Sequence, residues 1–207
     1  MKLQVAIDRV PLERASDLVQ QLNQADILEI GTSLTKDYGL ECVRQTQPYQ
    51  GAAKLLVDIK TMDEGAYEFR QYFAAGADIL TVMGAAAYET VAICYEEAEK
   101  HGKEVMIDLL SCDAARIERI AHFDNAIYAL HFSKDQHQAV DLQEEVLRFT
   151  RRFPQVKRIA LAGGLDLTSV QELMATPLEI AIVGSNIINA ADPVALLHQY
   201  KEVMKRG

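Results

Sequence analysis

The stretch Leu55-Leu56-Val57-Asp58-Ile59-Lys60-Thr61-Met62-Asp63 decides the fold of this chain, because an apolar run leads directly into three charged residues. A buried parallel strand is apolar throughout, since an ionised group removed from water is costly unless it is paired or bound to a metal. The charges therefore mark the end of a strand. Side chains alternate along a strand, so Asp58 and Lys60 are predicted to share one face. Asp63 follows at a turn, before a predicted helix from Glu64 to Ala75. A strand-end ion pair followed by a helix cap is the structural alternative for this segment alone.

Similar apolar runs recur along the whole chain at intervals of roughly 20 to 30 residues, separated by segments with the 3.6-residue period of amphipathic helices. This alternation predicts an α/β fold. Eight runs, followed by a last helix from Pro193 to Lys205 that can cover the final strand, favour a closed (β/α)8 (TIM) barrel. An open, doubly wound parallel sheet is the alternative. The eight predicted strands are Leu3 to Ile7, Ile27 to Ile30, Leu55 to Ile59, Ile79 to Met83, Val105 to Leu110, Ala126 to Leu130, Ile159 to Ala162 and Ile180 to Val183.

Length and composition agree with a barrel. The 207 residues contain no linker or low-complexity tract, so one domain over residues 1–207 is predicted. The 30 acidic residues outnumber the 21 basic ones, for a formal charge of −9, which argues against a nucleic-acid or anionic-membrane partner. We see no apolar stretch long enough to cross a membrane and no secretory leader, and we expect a cytoplasmic protein.

In a parallel barrel, chemistry is located at the carboxyl ends of the strands, and most of these ends carry charged or titratable residues. Each could have a structural role, as a helix cap or a hydrogen-bonded histidine. Together, however, several carboxylates in a small volume repel one another unless a cation neutralises them, and carboxylate and water oxygens are the ligands that Mg²⁺ prefers. We predict that Glu29 and Asp58 bind the metal. The residues at the strand ends are Asp8, Glu29, Asp58, Lys60, Asp108 and His131.

The last two strand ends are different, because they carry glycines instead of charges. Gly163 and Gly164 follow the seventh strand, and Gly184 and Ser185 follow the eighth. Helices begin soon after both turns, so backbone N–H groups there are available to an anion. Phosphate sites in these barrels commonly lie in the loops after strands seven and eight. The sequence therefore predicts a phosphate-binding cup at these two turns.

These motifs together resemble those of the 3-hexulose-6-phosphate synthases, and the resemblance runs along essentially the whole chain. The pattern of an acid, a lysine and a second acid in Asp58 to Asp63 is the signature of the wider orotidine 5′-monophosphate decarboxylase superfamily. Asp108 and Ser185 resemble the synthase, because 3-keto-L-gulonate-6-phosphate decarboxylases usually carry Glu and Arg at these positions. The other matching segments are Leu3 to Asp8, Glu29 to Thr32, Gly76 to Asp78, Val105 to Leu109, Ala162 to Gly164 and Val183 to Ser185.

The resemblance implies a Mg²⁺-dependent aldol condensation of formaldehyde with D-ribulose 5-phosphate, which gives a 3-hexulose 6-phosphate through an enediolate stabilised by the metal. In this interpretation Lys60 adds positive charge near the enediolate and His131 is the general base. Asp8 and Asp108 bind sugar hydroxyls or position the base. The family also implies a homodimer in which Asp63 reaches into the partner's site.

The segment after the sixth strand departs from the synthase pattern. It reads His131-Phe132-Ser133-Lys134-Asp135-Gln136-His137 and lacks the glycine that usually follows the histidine. Lys134, which we assign to substrate binding, stands where the decarboxylases often have an arginine that assists proton delivery. Two alternatives therefore stay open. One is 3-keto-L-gulonate-6-phosphate decarboxylase, which uses the same enediolate and releases carbon dioxide, and the other is a non-catalytic sugar-phosphate binder.

Overall fold

The chain forms a closed barrel of eight parallel strands in the order β1 to β8, with β8 paired to β1. This computed structural model describes residues 1–132 and 141–205. The (β/α)8 barrel is the predicted fold, and closure by the pairing of β8 with β1 rules out the open sheet. The strands are β1 Lys2–Ile7, β2 Ile27–Ile30, β3 Lys54–Thr61, β4 Ile79–Met83, β5 Glu104–Asp108, β6 Ile127–His131, β7 Ile159–Ala162 and β8 Ile180–Val183.

Helices surround the barrel on the outside. Several helices begin directly after a residue whose side chain caps the first turn. Asp141 accepts a hydrogen bond from the N–H of Glu144, and Asp166 and Ser169 form a capping box. The helices are α1 Leu12–Gln21, α2 Thr32–Tyr38, α3 Leu40–Thr46, α4 Gly65–Ala75, α5 Tyr88–His101, α6 Ala114–Ile120, α7 Leu142–Arg152, α8 Leu167–Leu173, α9 Ser185–Ile188 and α10 Pro193–Lys205, with a 3₁₀ turn at Gln47–Tyr49. No helix in residues 1–132 and 141–205 has both the length and the hydropathy that a membrane crossing requires.

Apolar side chains fill two layers of the molecule. One layer lies between the strands and the helices, where Leu18, Leu34, Phe69 and Tyr200 are buried. The other lies inside the barrel, because alternate residues of every strand point inward. It is formed by Ile27, Leu56, Ile79, Met106, Ile127, Ala129, Ala160, Ile180 and Ile182. The apolar interior closes the barrel below its carboxyl end and separates the polar groups there from those at the amino-terminal face.

Two predicted strand ends are displaced by two residues in the structure, and the end of the sixth strand is displaced by one, to His131. The fifth strand stops at Asp108 instead of Leu110, because the Asp108 carboxylate accepts a hydrogen bond from the N–H of Leu110 and turns the chain. The third strand continues to Thr61, but its register shifts after Val57 and Lys60 has a φ of +49°. The simple alternation predicted for Asp58 and Lys60 is therefore interrupted by a left-handed residue.

An ion-pair network covers the amino-terminal face of the barrel. The guanidinium of Arg158 donates to both carboxylate oxygens of Glu179, at 3.0 and 2.9 Å, and to Glu104 at 2.6 Å. Lys2 pairs with Glu179, and Lys54 pairs with Glu104. A cavity of about 700 Å³ at this face is lined in part by these ion-paired side chains. The pKa values of Glu104 and Glu179 lie below their usual range, since the nearby cations outweigh the effect of burial.

We expect Arg158→Ala to lower the free energy of unfolding by about 1 to 2 kcal/mol, because two half-buried carboxylates lose a charged donor. Urea unfolding near neutral pH measures this loss. The difference from wild type should shrink below pH ~4.3, the pKa of an unfolded-state Glu, as both carboxylates become protonated. Arg151→Ala is the control, since Arg151 and Glu144 are 63% and 55% exposed and such pairs contribute little. Equal stability of the two variants would contradict a stabilising role for the network.

Candidate active site

A cavity of about 560 Å³ opens at the carboxyl end of the barrel. Residues from all eight strands line it, so it occupies the position that barrel enzymes use for catalysis. The structure brings ten of the predicted site residues to this cavity, namely Asp8, Glu29, Asp58, Lys60, Asp108, His131, Gly163, Gly164, Gly184 and Ser185.

The ammonium group of Lys60 lies between two buried carboxylates. Its Nζ is 2.7 Å from Asp108 Oδ2 and 3.1 Å from Asp58 Oδ2. Burial alone would lower the pKa of Lys60, but the charges of the two carboxylates raise it above its ordinary value. Lys60 is therefore a permanent cation that neutralises part of the charge of its neighbours.

Asp108 also orients His131, whose Nδ1 is 2.9 Å from Asp108 Oδ2. Burial favours the neutral form of Asp108, but the hydrogen bond with His131 and the charge of Lys60 lower its pKa to about 2. In turn, the hydrogen bond to Asp108 raises the pKa of His131 above its ordinary value. With Nδ1 bound to a carboxylate, Nε2 carries the lone pair of the neutral ring, so His131 can accept a proton there.

Hydroxyl groups hold the carboxylate of Asp58 in place. Thr32 Oγ1 donates to Asp58 Oδ2, and Thr81 Oγ1 donates to Asp58 Oδ1 at 2.8 Å. The backbone N–H of Lys60 donates to the same threonine hydroxyl, Thr81 Oγ1, at 2.9 Å. This contact joins the irregular backbone at Lys60 to the orientation of Asp58.

Glu29 lies on β2, next to the strand that carries Asp58, and its carboxylate accepts one described hydrogen bond. Gln4 Nε2 donates to Glu29 Oε2 at 2.6 Å, and burial together with the negative charge of Asp58 raises the pKa of Glu29 to about 7. The Oε1 atom of Gln4 is buried without a hydrogen-bond partner. A cation beside Glu29 and Asp58 would remove the repulsion between them.

The donor set of Glu29 and Asp58 fits Mg²⁺, which usually binds one or two carboxylates and completes its coordination with water and substrate oxygens. The described ranges contain no group of three or more His, Cys, Asp and Glu side chains arranged to hold a metal ion. Two carboxylates would therefore leave most coordination positions open.

Asp8 is fixed at the end of the first strand. Its Oδ1 accepts hydrogen bonds from the Ser33 hydroxyl, from the Ser33 N–H at 3.2 Å and from the Arg9 N–H at 3.1 Å. A Cβ atom at Gly31 would lie 2.8 Å from Asp8 Cγ and 2.9 Å from the carbonyl oxygen of Ile7. Glycine is thus required at position 31 for Asp8 to reach the cavity.

The two glycine turns lie side by side at the rim of the cavity, because β7 pairs with β8. Gly164 has a φ of +70°, in the left-handed region that favours glycine. No described residue accepts a hydrogen bond from the N–H of Gly164 or Ser185. The helices that follow have only seven and four residues, so the exposed N–H groups matter more for an anion than a helix dipole does.

Of the predicted site residues that the structure describes, only Asp63 is not part of this cavity. Asp63 does not line it, and its Oδ1 accepts a hydrogen bond from the N–H of Glu64 at 2.8 Å. Lys134 lies outside the described residues. The assignments of Asp63 to a partner's site and of Lys134 to substrate binding stay predictions.

Sequence reasoning did not select the residues that support the charged cluster, namely Gln4, Thr32 and Thr81. The available signal is a polar residue inside or directly after an apolar run, as in Leu3 to Ile7 and Ile79 to Met83. That signal does not tell which carboxylate the polar group contacts, because the contact joins neighbouring strands. Arg9, which also lines the cavity, was missed because it follows a strand whose end was already assigned to Asp8.

Comparisons with known proteins agree with this geometry. Residues 1–200 match the model of the orotidine 5′-phosphate decarboxylase / HUMPS family. The chain belongs to this family. A 3-hexulose-6-phosphate synthase from Staphylococcus epidermidis is 31% identical, over 99% of both chains. The crystal structure of 3-hexulose-6-phosphate synthase from Salmonella typhimurium has a TM-score of 0.91 at 30% identity and covers 100% of this chain and 99% of that one.

The decarboxylase branch of the family shares the fold. The 3-keto-L-gulonate-6-phosphate decarboxylase from Vibrio cholerae has a TM-score of 0.83 at 22% identity, with 99% of this chain and 97% of that chain covered. The predicted resemblance to the synthases and the predicted enzyme class are confirmed: the chain is a carbon–carbon lyase.

We expect Asp108→Asn to lower the pKa of His131, because the neutral amide removes the negative charge that favours the imidazolium. NMR titration of the imidazole protons measures the pKa directly, with the resonance assigned from His131→Gln. Asp113→Asn is the control, since the Asp113 side chain caps α6 and forms no described hydrogen bond or ion pair with His131. An unchanged His131 titration in Asp108→Asn would show that this carboxylate does not set the basicity of the ring.

Proposed function

We propose that this enzyme is a Mg²⁺-dependent 3-hexulose-6-phosphate synthase, which joins formaldehyde to D-ribulose 5-phosphate. The observation that carries the proposal is the cluster of Lys60, Asp58, Asp108 and His131 beside the carboxylate pair of Glu29 and Asp58. The relatives that are about 30% identical over their whole length are named as synthases, which supports the same activity.

The first step requires a base that removes a proton from C1 of the ketose. His131 fits this role, because Asp108 binds its Nδ1, leaves Nε2 to take the proton and stabilises the imidazolium that forms. The electron pair of the broken C–H bond becomes an enediolate across C1 and C2. His131 then holds the proton while C1 attacks the carbon of formaldehyde.

The second step forms the new carbon–carbon bond and places a negative charge on the former formaldehyde oxygen. The imidazolium of His131 returns its proton to that oxygen, so the reaction consumes and releases no net proton. The old C2 carbonyl becomes C3 of the product, which is why the product is a 3-ketose.

Positive charge stabilises the enediolate relative to the substrate. Mg²⁺, when bound by Glu29 and Asp58, supplies positive charge beside the developing oxyanions. Lys60 adds a fixed cation in a partly dehydrated site, where electrostatic stabilisation is stronger than in water. Because its pKa is raised, Lys60 acts as a charge and not as a base.

The sugar phosphate is oriented from the opposite side of the cavity. In our proposal the N–H groups of Gly164 and Ser185 bind its phosphate, and Asp8 accepts hydrogen bonds from sugar hydroxyls. This orientation directs C1 toward His131. The arrangement predicts a preference for phosphorylated over free ketoses.

The 3-keto-L-gulonate-6-phosphate decarboxylase reaction is the second candidate, because the Vibrio cholerae decarboxylase has the same fold and both reactions form an enediolate. Asp108 and Ser185 favour the synthase, and Lys134 favours the decarboxylase. Only direct assays of both reactions separate the two.

We expect Mg²⁺-dependent loss of formaldehyde in the presence of D-ribulose 5-phosphate, with a kcat/KM higher than that for carbon dioxide release from 3-keto-L-gulonate 6-phosphate. Removal of Mg²⁺ with EDTA should abolish the reaction, and Asp58→Asn should lower kcat/KM by about 100-fold or more. The control is Asp17→Asn, an exposed acid of α1. Faster carbon dioxide release would indicate the decarboxylase, and substrate binding without turnover would indicate a binding protein.

We also propose a homodimer in which Asp63 enters the partner's site. Asp63 follows β3, and the neighbouring Met62 and Tyr67 are 53% and 64% exposed, which gives this edge of the barrel apolar surface to bury. The absence of Asp63 from the cavity of its own chain agrees with this arrangement.

Complementation tests the shared site. Asp63→Asn and His131→Ala should each be nearly inactive, but a re-equilibrated equimolar mixture should regain about a quarter of wild-type activity, because half of the dimers have one intact site of two. A mixture of Lys60→Ala and His131→Ala should regain none, since both residues belong to the same chain's site. Failure of the first mixture, with dimers present, would place Asp63 outside the partner's site.

A further inference from the structure

We propose that Arg9 is a substrate-binding residue whose guanidinium pairs with the phosphate of the sugar phosphate beside the glycine turns. This inference rests on the proposed function, because it adds a contact to the same substrate. It assigns a role to a residue that neither the motifs of the strand ends nor the charged cluster includes.

Arg9 lies between the strand end that carries Glu29 and the turn of Gly184 and Ser185. It lies two residues after β1, and β1 is hydrogen-bonded to both β2 and β8. The loop that contains Arg9 is therefore next to the turn of Gly184 and Ser185. Arg9 lines the same cavity as Gly164 and Ser185.

The backbone of Arg9 is fixed in a conformation that L-residues rarely adopt. Its φ is +54°, and its N–H donates to Ser33 Oγ at 2.7 Å and to Asp8 Oδ1 at 3.1 Å. Non-glycine residues in this region often occur where a site requires a particular backbone direction. The two hydrogen bonds keep the loop, and so the origin of the side chain, at the rim of the cavity.

The side chain of Arg9 is exposed, and its guanidinium has no hydrogen bond or ion pair with any residue in 1–132 or 141–205, although Asp8 is its direct neighbour in sequence. The other cationic or titratable bases that line the cavity are already engaged. Lys60 is paired with Asp58 and Asp108, and His131 is bonded to Asp108. Among the residues described at the cavity, Arg9 is therefore the cation that is free to pair with an anionic group of the substrate.

A phosphate group needs such a cation here. The cavity contains four acids, Asp8, Glu29, Asp58 and Asp108, and the whole chain has a formal charge of −9. Uncharged N–H groups at the glycine turns offer hydrogen bonds but no full positive charge. A guanidinium presents a planar pair of donors that matches two phosphate oxygens.

We expect Arg9→Gln to raise the KM for D-ribulose 5-phosphate by about 10- to 100-fold, as for loss of a charge-assisted hydrogen bond, with a much smaller change in kcat. The discrimination between D-ribulose 5-phosphate and D-ribulose should fall by a similar factor. Arg9→Lys should recover part of it, because the charge returns without the planar fork. Arg14→Gln, which removes an equal charge from α1 outside the cavity, is the control.

Calorimetric titration with D-ribulose 5-phosphate and with D-ribulose separates this proposal from the proposed reaction, because binding needs no turnover. If Arg9→Gln binds D-ribulose 5-phosphate more weakly than wild type does but binds D-ribulose equally well, the Arg9 contact is supported, even if wild type lacks synthase activity. An active wild type whose Arg9→Gln and Arg14→Gln variants bind the sugar phosphate equally well would overturn the contact and leave the reaction intact. A wild type that binds neither sugar would overturn both.

Discussion

The pairing of one buried lysine with two buried carboxylates is the constraint on which the site depends. Asp58 and Asp108 come from β3 and β5, which are separated by β4, and the ammonium of Lys60 lies between their carboxylates. Without this cation, two buried anions would repel each other in a medium of low polarity. The orientation of His131 depends on Asp108, and that of Asp58 on Thr81, so the same lysine organises the base and the proposed metal ligand.

The two ends of the barrel use charge in different ways. At the amino-terminal face, Arg158 and its partners satisfy one another, and this arrangement is suited to stability. At the carboxyl end, the polar groups are left partly unsatisfied. Glu29 has a pKa raised to about 7, Gln4 Oε1 has no partner, and the N–H of Gly164 is available. Such unsatisfied groups cost stability in the ligand-free protein and are expected where a cation and an anionic substrate bind.

The chain belongs to the orotidine 5′-phosphate decarboxylase family, and the proposed chemistry of its site is compatible with more than one reaction. An enediolate can react with an added aldehyde or arise by loss of carbon dioxide, and both paths need the same cations and the same base. In the proposed function, Asp108 and Ser185 favour the path that adds an aldehyde. In this proposal the charged cluster of the strand ends carries out the chemistry, and the loops that follow the strands contribute to substrate choice.

The sequence by itself determined the alternation of strands and helices, the eight-strand barrel and the side on which charged strand ends and glycine turns converge. These features follow from local apolar periodicity, from the cost of burying charge and from the parallel direction of the strands. Only the tertiary structure decided which groups touch. Lys60 contacts both Asp58 and Asp108, Gln4 contacts Glu29, and the guanidinium of Arg9 contacts no described partner. Such contacts join different strands, and the left-handed backbone at Lys60 and Arg9 changes side-chain directions in ways that strand periodicity does not encode.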